Sequence, residues 1–322
     1  MEWDILLNNR YQISNLIKKL QIDEDEYILS VGGSYGDVFP TLALMPQFYI
    51  MNRKNINIII DKKYELLAIR FKFSYTKYFI IDSELQFRQK LYMEDPCFIL
   101  KPGKVFPTIP TLHPLIAEAV LTERFSDYEM KRLLLSLPKG AQMELPQLVN
   151  YEKRVQNIFD EVGCRKGKTV ILSFFANSTP ILPLEIQIKI AEIAQELNFD
   201  VVFNVAKSFV NSLELDYSGF KTISIPADIP IELVNYAGKI IGPGTGLTAI
   251  LSTFRCQGSI LLLVNKTNEF IHNNGLLIRN EATSIKTVLS EEVNCNSLTE
   301  LNFKMDKISF LYEEIRIWLK LN

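Results

Sequence analysis

Short runs of β-branched and aromatic residues recur along the chain, each followed by a stretch with helical spacing. Tyr27-Ile28-Leu29-Ser30-Val31 predicts a buried strand and Val38 to Tyr49 a helix. Asn55 to Asp61 predicts the next strand, followed by a helix over Lys62 to Arg70. Tyr78 to Ile81 and Cys97 to Leu100 predict two more strands. Buried strands that alternate with helices indicate βαβ units and a mostly parallel sheet. Four prolines and a glycine interrupt any regular element between Lys101 and Pro114, and Leu115 to Phe159 has a broken helical pattern. After the Gly-punctuated stretch Val162 to Lys168 the alternation restarts. Strands are predicted at Thr169 to Phe175, Asp200 to Val205, Lys221 to Ile225, Lys239 to Ile241 and Ser259 to Val264. Helices are predicted at Leu182 to Leu197, near Ile231 to Tyr236, and at Leu247 to Phe254, with Ser297 to Leu321 amphipathic and helical. The pattern predicts an α/β chain of two Rossmann-like doubly wound domains, 1–165 and 166–322, with ligands at the carboxyl ends of the strands.

Composition narrows the function. Of 322 residues, 48% are hydrophobic, ample for a sizeable core. Lys+Arg 35 against Asp+Glu 37 gives a net charge of −2, which argues against a nucleic-acid partner. His113 and His272 are the two histidines, so a His-rich metal centre is not expected. The cysteines, Cys97, Cys164, Cys256 and Cys295, are widely spaced and read as reduced, buried thiols. No signal peptide and no apolar run of bilayer length is visible, so a cytoplasmic protein is expected, with peripheral membrane contact left open. Asp23-Glu24-Asp25 has the D-x-D form used elsewhere to hold a divalent metal, but it lies in a run of four acids before the first strand. It reads as a solvated charge run, and no essential metal or cofactor is expected.

Two glycine-rich loops join a strand to a helix. The first, Ser30 to Val38, approaches the dinucleotide fingerprint G-x-G-x-x-G but has Val31 where a glycine is needed; Gly33, Gly36 and Asp61 keep that reading open. Within it Asp37 is readable either as a helix cap or as a carboxylate general base. The second, Gly242-Pro243-Gly244-Thr245-Gly246-Leu247-Thr248-Ala249, offers backbone amides, the Thr245 hydroxyl and a helix N-terminus, the ingredients of a phosphate cradle.

Ser34-x-Gly36-Asp37-Val38-x-x-Thr41-Leu42 resembles the opening motif of the glycosyltransferase family that contains the lipopolysaccharide heptosyltransferases, G-D-V-L-x-T-x-P-x-L. Thr245-Gly246-Leu247 resembles that family's D-T-G-x-x-H donor motif, with Gly244 in place of the Asp and Ala249 in place of the His. The resemblance implies the GT-B fold, two Rossmann-like halves facing across a cleft, and a C-terminal helix that packs back on the first half. It implies transfer of a sugar from a nucleotide-sugar donor to a glycan or glycolipid acceptor, metal-independent and inverting, in polysaccharide or lipopolysaccharide synthesis. Asp37 would be the base, with Gly33, Ser34 and His113 near the acceptor. Gly244, Thr245, Gly246 and Leu247 would hold the donor, together with the hydroxyl and amide residues Asn177, Ser178 and Thr179. The family's lysine near that point is missing, and Lys207 or Arg255 would substitute for it. Two alternatives remain: an NAD-type oxidoreductase and a non-catalytic sugar-nucleotide-binding module of the same fold.

Overall fold

A computed structural model describes residues 17–94, 99–109, 127–174, 182–205, 219–254, 256–265, 270–271, 277–278 and 297–321. The chain divides into two compact units, Met1–Gln147 and Leu148–Asn322.

The first unit is built on a parallel sheet of four strands: β1 (Tyr27–Val31), β2 (Ile56–Asp61), β3 (Thr76–Ile81) and β4 (Val105–Pro107), in the order β3-β2-β1-β4. β1 carries Ile28, Leu29 and Val31 fully buried, as a central parallel strand covered on both faces requires. The helix predicted after β1 is two: α1 (Tyr35–Ala43) and α2 (Met45–Asn52). Pro46 explains the break, because it lacks the amide that would bond back into α1 and is tolerated in the first turn of a new helix. A 3₁₀ turn (Lys62–Tyr64), α3 (Glu65–Arg70), α4 (Glu84–Glu94) and α5 (Asp127–Leu134) follow. The fourth strand is a correction. Ile99 and Leu100, expected to be strand, are not, and the partner of β1 is Val105–Pro107 inside the proline-rich segment. Pro107 is accommodated because it ends an edge strand, where its missing amide breaks no ladder bond.

The second unit holds α6 (Tyr151–Glu161), β5 (Thr169–Leu172), α7 (Leu184–Glu196), β6 (Asp200–Asn204), β7 (Lys221–Ile223), α8 (Pro230–Ala237), β8 (Gly238–Pro243), α9 (Gly246–Thr253) and β9 (Ser259–Asn265). A two-stranded antiparallel ribbon, β10 (Phe270–Ile271) with β11 (Leu277–Ile278), precedes β12 (Leu298–Phe303) and α10 (Ile308–Leu321). The six-stranded sheet is parallel throughout, in the order β12-β9-β8-β5-β6-β7. Counted within the unit this is the Rossmann order 3-2-1-4-5-6. β12 was expected to be part of a terminal helix. It pairs residue for residue with β9 instead, Leu298 opposite Ile260 through Phe303 opposite Asn265.

One further expectation changes. The units divide before α6 rather than near Gly163 to Lys168, because α6 packs within the second unit. Phe159 stacks on Tyr236 of α8 at 4.8 Å, and Arg154 forms a bidentate pair with Asp228, its Nη2 donating to Oδ1 at 3.1 Å. The residues ahead of the division belong to the first unit, where the Glu144 amide bonds the Ala43 carbonyl at 2.8 Å. One face of the C-terminal helix packs in the core of the second unit. Its stripe Leu311, Ile315, Trp318 and Leu319 is buried in one apolar cluster with Ile186, Ile190 and Ile193 of α7, and Arg316 pairs with Glu196 at 2.6 Å. Asp228 is buried, so Arg154→Ala deprives a desolvated carboxylate of its cation. It is expected to cost about 1–3 kcal/mol in urea unfolding, and an unchanged midpoint would show that α6 is not anchored there.

Cys164 and Cys256 are buried free thiols, and Cys97 and Cys295 lie outside the described residues. Among the described residues no helix is long and apolar enough to cross a membrane. Asp23, Glu24 and Asp25 are exposed ahead of β1, at the amino ends of the first unit's strands, the end away from the loop that follows β1.

Candidate active site

In an open parallel sheet the ligand crevice lies outside the carboxyl ends of the strands, where the strand order reverses. In the first unit that point lies between β1 and β4, and in the second between β5 and β8. Each glycine loop leaves one of these strands: Gly32–Ser34 follows β1, and Gly242–Thr245 ends and follows β8.

The first loop is held from several sides. Ser34 is the N-cap of α1 and Asp37 its third residue. Asp37 Oδ2 accepts from the Ser34 amide at 2.8 Å and from the Ser34 hydroxyl at 2.7 Å, while Lys131 Nζ of α5 donates to Oδ1 at 3.1 Å. Asp37 is therefore a cap in the ground state, and its side chain is still 34% exposed. Burial pushes its pKa up, but the Lys131 ammonium and the two Ser34 donors more than reverse this. The carboxyl is held below the ordinary aspartate value.

Gly33 has φ +104°, and an added Cβ would sit 2.8 Å from Asp37 Oδ2. The Tyr64 hydroxyl donates to the Gly33 carbonyl at 3.1 Å; burial, with the carboxylates of Asp61, Asp37 and Glu84 nearby, raises that phenol's pKa. Beneath Gly32 lies Glu84 of α4, 2% exposed, accepting from the Ser30 hydroxyl at 2.7 Å and facing Arg88 Nε at 3.5 Å. Burial raises the Glu84 pKa, and Arg88 and Ser30 offset this only in part. A Cβ on Gly32 would fall 1.8 Å from Glu84 Oε2. Gly32→Ala is expected to destabilise the chain by about 1–3 kcal/mol. Adding Glu84→Ala removes the colliding carboxylate, so the double variant should lose less than the two single losses summed. Strict additivity in urea unfolding would refute the contact as the cause.

The second loop caps α9 with a Thr-x-x-Thr box. Thr245 Oγ1 accepts from the Thr248 amide at 3.3 Å, and Thr248 Oγ1 accepts from the Thr245 amide at 2.7 Å. The Thr245 hydroxyl is thus engaged in the cap rather than presented alone. By helix geometry the amides of Gly246 and Leu247 have no acceptor within α9. Gly244 to Leu247 are all half-exposed. At the same sheet end Asn204 Nδ2 donates to Ser173 Oγ at 2.9 Å, and Asn204 Oδ1 accepts from the Ile225 amide at 3.0 Å.

The structure thus brings together Gly33, Ser34 and Asp37 in one unit and Gly244, Thr245, Gly246 and Leu247 in the other. Asn177, Ser178, Thr179, Lys207, His113, Arg255 and His272 lie outside the described residues. Asp61 caps the 3₁₀ turn after β2, accepting from the Lys63 amide at 3.2 Å. Lys131, Glu84 and Tyr64 escaped the sequence reading. One signal pointed to the first of these: Tyr128, Lys131, Leu134 and Leu135 form a buried i, i+3, i+6, i+7 stripe, with a lysine where an apolar residue belongs.

No protein-family model matches the chain, and no curated protein matches it in sequence. Solved structures do match. The Escherichia coli ADP-heptose lps heptosyltransferase II is 12% identical, with 92% of this chain and 99% of that chain covered and a TM-score of 0.59. A glycosyl transferase family 9 structure from Veillonella parvula is 11% identical, with coverage of 92% and 91% and a TM-score of 0.51. The E. coli heptosyltransferase WaaC with ADP is 10% identical, with coverage of 91% and 98% and a TM-score of 0.51. With two parallel Rossmann-type sheets in sequence and these matches over nearly the whole length, the chain has the GT-B fold of the heptosyltransferases and of glycosyl transferase family 9.

Proposed function

We propose that this chain is a glycosyltransferase that moves a sugar from a nucleotide-sugar donor to a hydroxyl of a glycan or glycolipid acceptor. The observation that carries the reading is the position of both loops: each leaves the carboxyl end of a strand at the reversal point of its own Rossmann-type sheet, within the GT-B fold.

The donor diphosphate would lie against the N-terminus of α9, where the Gly246 and Leu247 amides and the positive helix end favour an anion. Asn177, Ser178 and Thr179, which follow β5 in sequence, and Lys207, which follows β6, would add donor contacts. The acceptor would lie along Gly33 and Ser34, with His113 near it. Asp37 Oδ1, which accepts from Lys131, would take the acceptor hydroxyl's proton. The acceptor oxygen would attack the anomeric carbon in line, the carbon–oxygen bond to the diphosphate would break, and its electron pair would leave with the diphosphate. One displacement inverts the anomeric centre. The leaving charge falls on backbone amides and a helix dipole, so the mechanism invokes no metal ion.

The test is a thermal-shift panel on the full chain with ADP, UDP, ADP- and UDP-sugars and NAD. A ligand in hundredfold excess over its Kd adds about 2.7 kcal/mol to stability. A nucleoside diphosphate or its sugar should stabilise and NAD should not. Stabilisation by NAD alone would overturn the proposal in favour of an oxidoreductase.

A further inference from the structure

The ion pair at Asp37 is asymmetric. Lys131 lies 94 residues away in sequence, and its side chain is 2% exposed against 34% for Asp37. The cation is sealed inside the unit while the anion stays accessible. Leaving a buried ammonium without its partner is costly.

The other charged and titratable groups near the loop are engaged elsewhere. Glu129, on the same helix as Lys131, pairs with Arg132 at 3.2 Å. Glu84 faces Arg88 of α4 at 3.5 Å, and Asp61 lies 3.9 Å from Lys63. Tyr64 is bonded to the Gly33 carbonyl and Ser34 to Asp37 Oδ2. Lys131 supplies the positive charge at Oδ1. A lysine that only filled the stripe of Tyr128, Leu134 and Leu135 would be replaceable by an apolar residue of similar length.

We propose that Lys131 is a positioning residue of the sugar-transfer site: from within α5 it fixes the orientation of the Asp37 carboxylate and keeps it ionised, leaving a lone pair of Oδ1 for the acceptor proton. This rests on the reading of Asp37 as the base. The ammonium donates to Asp37 before and after proton transfer and gives up no proton of its own. Its cost is a weaker base; its return is a base that stays charged in mild acid and holds one rotamer.

The experiment uses the full chain with aspartate ¹³C-labelled at the side-chain carboxyl, titrated by NMR, with D37N identifying the Asp37 resonance. Lys131→Met keeps the volume and suits the apolar stripe, and Lys131→Gln serves if the methionine variant does not fold. In either variant the Asp37 midpoint should rise by about one to two pH units. The acid limb of kcat/KM, with a donor from the panel, should rise with it, and kcat should fall about tenfold or more from lost orientation. A structural filler role would leave both midpoints in place. An unmoved Asp37 midpoint, or one that moves while the acid limb does not, would overturn the proposal. Wild-type turnover by D37N would overturn the base reading, and the proposal with it, through a different measurement.

Discussion

Asp37→Asn is expected to cut sugar-transfer turnover by about 10²–10⁴-fold while leaving nucleoside-diphosphate binding unchanged. The loss follows from what the carboxylate does and what an amide cannot do. Oδ2 accepts two bonds from Ser34 and Oδ1 one from Lys131, so donors approach the carboxylate from both sides. Asparagine must point its NH₂ at one of these donor sets. It loses either the Ser34 cap or the Lys131 pair, and in both cases it has no anionic oxygen to take a proton. The loop proposed to hold the donor belongs to the other compact unit, so the affinity for ADP or UDP should hold. Initial rates and a binding isotherm on the same preparation check the split. Retained turnover, or turnover and binding lost together, would count against Asp37 as the base.

The same substitution has a signature in pH. The Asp37 pKa is depressed in the folded chain, so the carboxylate stabilises the fold above the ordinary aspartate value. That stability is lost as pH falls through the depressed value. D37N lacks the titrating group and lacks this term. The stability gap between wild type and D37N should therefore be widest near about pH 7 and narrow toward about pH 3, read from urea midpoints. A gap that widens in acid would mean that the sign of the interaction is wrong.

What the sequence made legible, and what it hid, divides along the range of the interactions. Both glycine loops, the strands that feed them and the doubling of the α/β pattern are local: a buried β-branched run followed by small residues and a helix start needs no tertiary information. β12 was misread because Leu298 and Leu301 stand at i, i+3, a helical spacing that runs into the true helix. Its strand state comes from the exposed flank of β9, which no local pattern encodes. β4 is three residues long and ends in proline, too short for any period to appear. It exists because β1 has an open edge. The division between the units was placed at the polar, Gly-punctuated stretch Val162 to Lys168. The structure instead follows where α6 finds an aromatic partner, Tyr236, and an ion partner, Asp228.

At the candidate site the sequence offered two roles for Asp37, cap and base, and the geometry gives the first outright. It also adds three groups that the sequence had no local means to attach to the loop: Lys131, Glu84 and Tyr64. Tyr64 bonds the Gly33 carbonyl, Lys131 the Asp37 carboxylate and Glu84 the Ser30 hydroxyl, so all three bear on the segment Ser30 to Asp37. That explains why a loop with only a partial motif is nonetheless rigidly specified, with Gly33 held at positive φ and Gly32 pressed against a buried carboxylate. Glycine is required twice here for different reasons, conformation at one position and space at the other.

The second glycine loop meets the same constraint more severely at Gly242, which leads to the second large expected effect. A Cβ on Gly242 would lie 2.3 Å from the Ser173 carbonyl oxygen and 3.2 Å from its carbon. Both are backbone, and the Ser173 amide is tied to the Ile241 carbonyl at 2.9 Å, so no rotamer change relieves the collision. The ends of β5 and β8 must separate at the point where the strand order reverses. Gly242→Ala is expected to cost about 3 kcal/mol, the upper end for overpacking. Trp318 is buried in the second unit, and Trp3 is the one other tryptophan, so fluorescence in a Trp3→Phe background reports this unit's unfolding. The strain should also displace the start of α9, only four residues on, and weaken ADP or UDP binding in parallel. Thr245→Ala separates the two effects. It removes the cap hydroxyl for about 1 kcal/mol but leaves Gly242 and Ser173 in contact as before. If the diphosphate is held by the Gly246 and Leu247 amides, affinity in Thr245→Ala should stay within a few-fold while Gly242→Ala loses at least tenfold. Equal losses in the two variants would move the phosphate contact from the backbone to the threonine hydroxyl.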